Sequence, residues 1–141
     1  MPTPTSKNYW LIKTEPSTYS FDRLSREGRT VWDGVRNNLA LMHLRAMRTG
    51  DEVLVYHSGS EKAVVGRALV TRPAFSEPGQ SDPRFVAVEV ESVGQLPAPV
   101  PLATIKRDPA LSGVPLVRNS RLSVMPVSPA EWDGILAHAG A

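Results

Sequence analysis

Seven consecutive positions, Val31-Trp32-Asp33-Gly34-Val35-Arg36-Asn37, bring together an indole, a carboxylate, a glycine turn, a guanidinium and an amide. An indole on a connecting segment is costly to leave bare in water, so this stretch implies either a turn that hides Trp32 or a pocket that uses it. The pocket alternative has a defined chemistry. An aromatic face stacks on a nucleobase with about 1–3 kcal/mol per base, while Asp33 and Asn37 offer groups that read a base edge and Arg36 one that holds a phosphate. A fitted apolar wall adds about 1–3 kcal/mol for a single methyl group on the base.

The remaining reactive residues make weaker sets. His57 beside Ser58, with Asp33 or Asp51 as third member, has the residue types of a hydrolase. Neighbours in a strand point to opposite faces, however, and no Gly-x-Ser-x-Gly elbow surrounds the serine. His43, His57 and His138 lack metal-ligand spacing. No glycine loop followed by Gly-Lys-Ser or Gly-Lys-Thr cradles a phosphate. Neither a catalytic set, a metal nor a cofactor is expected. A small hydrolase using His57, Asp33 and Glu15 around the same pocket stays open as the alternative to base binding.

The elements that must position these groups are short. Thirteen prolines and ten glycines punctuate 141 residues, a length that fits one domain with a real core. Without cysteine, disulfide-built secreted folds and thiolate chemistry are excluded, which makes a cytoplasmic location the expectation. No apolar run reaches the roughly 18 residues of a membrane span. Twelve of the sixteen cations are arginine, the residue that forks onto phosphates, although net charge is only +2.

Met1 to Asn8 reads as a loose tail and 9–141 as the domain. Tyr9 to Lys13 reads as a strand closed by Pro16, and Ser20 caps a helix with Phe21 and Leu24 inward and Gly28 at its stop. Arg29 to Trp32 is extended, and Asn37 or Asn38 caps a second helix whose apolar stripe is Leu39, Met42, His43, Ala46 and Met47. Glu52 to His57, Ala63 to Thr71, Phe85 to Val93 and Arg121 to Val127 follow as strands, with Gly66 as a bulge or close approach. Arg72 to Arg84 reads as a proline-rich loop and Gln95 to Pro101 as a connection. Leu102 to Lys106 and Pro109 to Leu111 are helical pieces. Ser128-Pro129-Ala130-Glu131 is a capping box opening a last helix that buries Trp132, Ile135 and Leu136. Strands mixed with short helices imply an α+β domain around a curved sheet.

Tyr9-Trp10-Leu11-Ile12-Lys13-Thr14-Glu15-Pro16, Trp32-Asp33-Gly34-Val35-Arg36-Asn37, Leu44-Arg45-Ala46-Met47, Gly50-Asp51, Tyr56-His57-Ser58, Val65-Gly66 and Arg121-Leu122-Ser123-Val124 resemble, in that order, the EVE-domain family. This is the thymocyte nuclear protein 1-like branch of the PUA-like superfamily, related to YTH domains. The resemblance implies a PUA-like curved mixed β-barrel with short helices packed around it, and a reader of modified bases in DNA or RNA. By motif position Trp32 is implied as a cage wall and Thr14 and Glu15 as groups meeting the base edge. Asn37 and Ser58 are implied to line the pocket, with Phe85 where the family often carries an indole. Lys13, Arg36, Arg45 and Arg121 are implied to meet phosphates. The chain departs at Asn38-Leu39-Ala40-Leu41-Met42, where the family's aromatic, arginine and two amides are missing. The added Leu39, Leu41 and Met42 leave a third alternative, a protein-interaction module with a vestigial pocket.

Overall fold

The continuous apolar run Trp10-Leu11-Ile12 makes the first strand, β1 (Tyr9–Thr14), one covered on both faces, and all three residues are buried. The computed structural model describes residues 8–141; Met1 to Lys7, and with them nearly all of the expected tail, lie outside the described residues. Helix α1 (Phe21–Glu27) starts where Ser20 accepts the Arg23 N–H and stops at Gly28, whose φ of 82° is a conformation glycine adopts freely. Strand β2 (Arg29–Trp32) and helix α2 (Asn38–Ala46) follow, the latter capped by the Asn37 side chain on the Ala40 N–H. Then come β3 (Glu52–His57), β4 (Ala63–Ser76) and β5 (Val86–Pro101). After α3 (Leu102–Arg107), a 3-10 turn at Pro109–Leu111 and α4 (Pro115–Arg118), strand β6 (Val124–Val127) leads into α5 (Pro129–His138). The reciprocal Ser128 and Glu131 capping box is formed, and Trp132 and Ile135 are buried beneath α5.

These strands form one mixed six-stranded sheet in the order β2-β5-β4-β3-β1-β6, parallel only between β1 and β3. One register shift between β3 and β4, and four between β4 and β5, bend and twist it. This is the PUA-like α+β architecture implied by the resemblance. Gly66 permits a close approach: a Cβ there would stand 2.5 Å from the buried Phe21 ring.

Three expectations are corrected. The loop expected from Arg72 begins only after Ser76, because Pro73 falls at a register shift between Arg72 and Phe75, where a missing N–H breaks no regular ladder bond. Strand β5 runs through the expected connection to Pro101. Its partner β2 covers only Val88 to Glu91, so Pro97 and Pro99 lie where that side of the strand is unpaired by β2. Helix α2 buries Ala40, Leu41 and Leu44, with Met47 at its end, while Leu39 and Met42 are exposed. The sheet and β6 pack on that rotated face.

Candidate functional site

The sheet's two ends approach each other without pairing, and a cavity of about 510 Å³ occupies the seam. Lys13 and Thr14 at the end of β1 and Ser123 just before β6 line one side. The edge strand β2, through Thr30, Val31 and Trp32, lines the other together with the turn Asp33 to Arg36. Thr18, Tyr19 and Arg23 close one end. The volume lies within the roughly 300–1,000 Å³ of ordinary small-molecule sites.

Trp32 combines both roles open to it. It is only 8% exposed, with the Tyr19 ring meeting it edge-on at 5.9 Å and 88°, yet it forms part of the cavity wall. Such an edge contact fixes the indole plane, which a stacking surface requires. Tyr19 is itself held by its hydroxyl, which donates to Glu27 at 2.6 Å, and Arg23 lies over its ring. Burial, reinforced by the Glu27 bond, raises the Tyr19 phenol above its ordinary pKa, so it stays a neutral donor.

The turn after Trp32 is pinned by a residue far away in the chain. Glu77, 5% exposed, accepts both terminal nitrogens of Arg36 at 3.0 and 2.9 Å and the Gly34 N–H at 2.7 Å. Arg36 also covers the Phe85 ring at 4.2 Å. The Arg36 hydrogen bonds hold the Glu77 carboxyl below its ordinary pKa. On the opposite wall the Lys13 ammonium donates to the Ser120 carbonyl at 2.8 Å, and its partial burial lowers its pKa.

Of the candidate residues, Trp32, Thr14, Asp33, Lys13 and Arg36 line the cavity, and the others do not. Thr14 donates its hydroxyl to the Tyr19 carbonyl. Glu15 turns to the Ser17 hydroxyl and the β3–β4 hairpin, its carboxylate 2.5 Å from where a Gly59 Cβ would be. The Asn37 side chain is occupied as the α2 cap, because the first helical N–H groups lack partners of their own. Ser58 closes the β1–β3 end through its backbone N–H on Thr14. Phe85 sits beneath Arg36 and Arg84. Arg45 donates to the Arg84 carbonyl at 2.6 Å, and Arg121 stands exposed on the turn before β6. Arg36 reaches the rim with its fork already engaged by Glu77.

Sequence reasoning missed Thr18, Tyr19, Arg23, Thr30, Ser123 and Glu77. Tyr19 carried a local signal, an aromatic just ahead of a helix cap; Glu77 carried none. His57 is buried and structural. Its Nε2 accepts the Phe21 N–H at 2.9 Å, which leaves Nδ1 protonated to donate to Glu61 at 2.8 Å. Both ring nitrogens are therefore occupied, contrary to the role the hydrolase alternative needs.

The family model described as "EVE domain" matches residues 8–138. The chain belongs to the EVE-domain family. This EVE domain is 29% identical to mouse thymocyte nuclear protein 1, over 92% of the chain and 73% of that protein. A protein from Rhodopseudomonas palustris is 40% identical, with a TM-score of 0.90 over 94% of this chain and 93% of the other. The human THYN1 protein, solved in complex with DNA containing 5-methylcytosine, is 26% identical, with a TM-score of 0.87 over 96% and 99%. The expected cytoplasmic location is corrected by these comparisons, since the curated relatives bear the name of a nuclear protein. Cysteine content separates secreted from reducing compartments, and cytosol and nucleus are both reducing.

Proposed function

We propose that this EVE domain, acting as one unit over residues 9–141, is a non-catalytic reader that receives a modified base from DNA in the seam cavity. A methylated or hydroxymethylated cytosine is the base we assign. The observation that carries the reading is Trp32, an indole braced edge-on by Tyr19 and forming one wall of a cavity with room for a nucleobase. Val31 and Val35 add apolar lining suited to a methyl group, and Lys13, Asp33, Thr30 and Ser123 supply donors and acceptors for a base edge. The complex of the human THYN1 protein with 5-methylcytosine DNA supports the choice of ligand.

The test is a titration of matched duplexes, one with a single 5-methylcytosine and one without, against wild type, Trp32→Ala and Trp32→Phe. Loss of one stacked base costs about 1–3 kcal/mol, so Trp32→Ala weakens methylated-duplex binding by about 5- to 150-fold. Trp32→Phe retains a ring and falls between. Equal wild-type affinity for both duplexes, or a folded Trp32→Ala with undiminished preference, refutes the reading. Stronger binding to a modified RNA than to either duplex refutes the assignment to DNA.

A further inference from the structure

The cations carried by α1 and β2 and those carried by the end of β1 and the α4–β6 connection, on the two sides of the cavity, differ once ion pairs are assigned. On the α1–β2 side every arginine is matched to a carboxylate. Arg23 pairs with Glu27 at 3.1 Å, Arg26 with Asp22 at 3.3 Å, Arg29 with Glu91 at 3.1 Å and Arg36 with Glu77 at 2.9 Å. On the opposite side Lys13, Arg118 and Arg121 form no ion pair with any described carboxylate.

Arg118 precedes and Arg121 lies within the turn from Asn119 to Leu122, which is closed by the Leu122 N–H on the Asn119 carbonyl at 3.2 Å. Asn119 Oδ1 accepts the Arg121 N–H at 3.3 Å, which sets Arg121 at the turn's exposed corner. Lys13 reaches into the same turn, donating to the Ser120 carbonyl, and its own N–H donates to Ser123. Arg118, the last residue of α4, donates through Nε to the Ser112 carbonyl and keeps its charge uncompensated. Glu15, the carboxylate nearest in sequence to Lys13, is directed toward Ser17 and the β3–β4 hairpin.

We infer that the phosphate backbone of the bound DNA runs along the α4–β6 side of the cavity, meeting Lys13, Arg118 and Arg121, and not along the α1–β2 side. Uncompensated cations release condensed counterions from DNA when they meet phosphates, whereas arginines already neutralised by carboxylates gain little. The asymmetry sets which flank of the bound nucleotide the protein grips. It also removes Arg36 from the phosphate contacts and adds Arg118. This inference rests on the reading of the cavity as a base site.

The experiment measures affinity for methylated and unmodified duplex from about 50 to 200 mM salt. Each lost phosphate contact reduces the steepness of log K against log salt by about 0.9. Arg118→Ala/Arg121→Ala is expected to lower the slope by about 1.8 on both duplexes while leaving the preference for the methylated one intact. Arg118→Lys/Arg121→Lys, which keeps the charge, is expected to restore the slope. Arg26→Ala/Arg29→Ala is expected to leave it unchanged. An unaltered slope in the first variant, an equal fall in the third, or no recovery with lysine overturns the inference. Failure of the base-reading proposal is seen separately, as equal wild-type affinity for the two duplexes, and the slopes remain readable on either one.

Discussion

Replacing Glu77 by glutamine tests the link between a distant buried carboxylate and the cavity wall. The carboxylate accepts three hydrogen bonds, two from Arg36 and one from Gly34, and is nearly enclosed. Glutamine keeps one acceptor for the Gly34 N–H but turns an amide donor toward a guanidinium that has only donors. Hydrogen bonds to charged groups contribute about 1.5–3 kcal/mol each when buried. The Arg36 side chain is 45% exposed, so water takes over part of its fork and the cost falls to about 1.5–2 kcal/mol for the whole change. In a domain of this size that is a fall in Tm of about 4–8 °C.

The pH dependence separates this cause from a general packing defect. The folded state lowers the Glu77 carboxyl below its ordinary value of 4.5, chiefly through Arg36, so its contribution is fully present above about that pH and disappears as pH falls through the folded value. Urea denaturation of wild type and Glu77→Gln should therefore show the full difference at pH 7 and a shrinking one in the acid range. Affinity for the methylated duplex should fall with it, because Gly34 and Arg36 line the cavity. A difference that is constant across pH, or a variant as stable as wild type with unchanged binding, would refute the reasoning.

Two further substitutions probe the scaffold that holds the site. Gly66→Ala places a methyl against the buried Phe21 ring, an overpacking expected to cost about 1–3 kcal/mol by denaturant titration. His57→Ala leaves the buried Phe21 N–H at the start of α1 without its acceptor and should cost about 1–3 kcal/mol of stability, measured the same way. Its folded fraction should retain the wild-type preference between methylated and unmodified duplex, since His57 does not line the cavity.

Legibility followed sequence distance. The caps at Ser20, Asn37 and Ser128 were readable because each is made within three residues of its partner. The alternation of Val86, Val88 and Val90 with Glu89 and Glu91 was readable for the same reason. Helix α2 was readable as a helix but not as a face. Leu39 and Met42 make as good an apolar stripe as Leu41 and Leu44, and only the packing of β6 and the sheet selects between them. Prolines 97 and 99 argue locally against a strand, and the short reach of β2 alone makes room for them.

The candidate site divides along the same line. By itself the amino-acid sequence determined the family, the turn of Trp32 to Asn37 and the gathering of Lys13 and Thr14 at a strand end, all properties of contiguous residues. The tertiary structure alone decided that a cavity exists, because it opens between the two ends of a sheet whose neighbours in space are not neighbours in sequence. It decided that Arg36 is clamped by Glu77, 41 positions away. Likewise it decided which arginines are paired with a carboxylate: an ion pair depends on where a carboxylate arrives after folding, and composition records only how many there are.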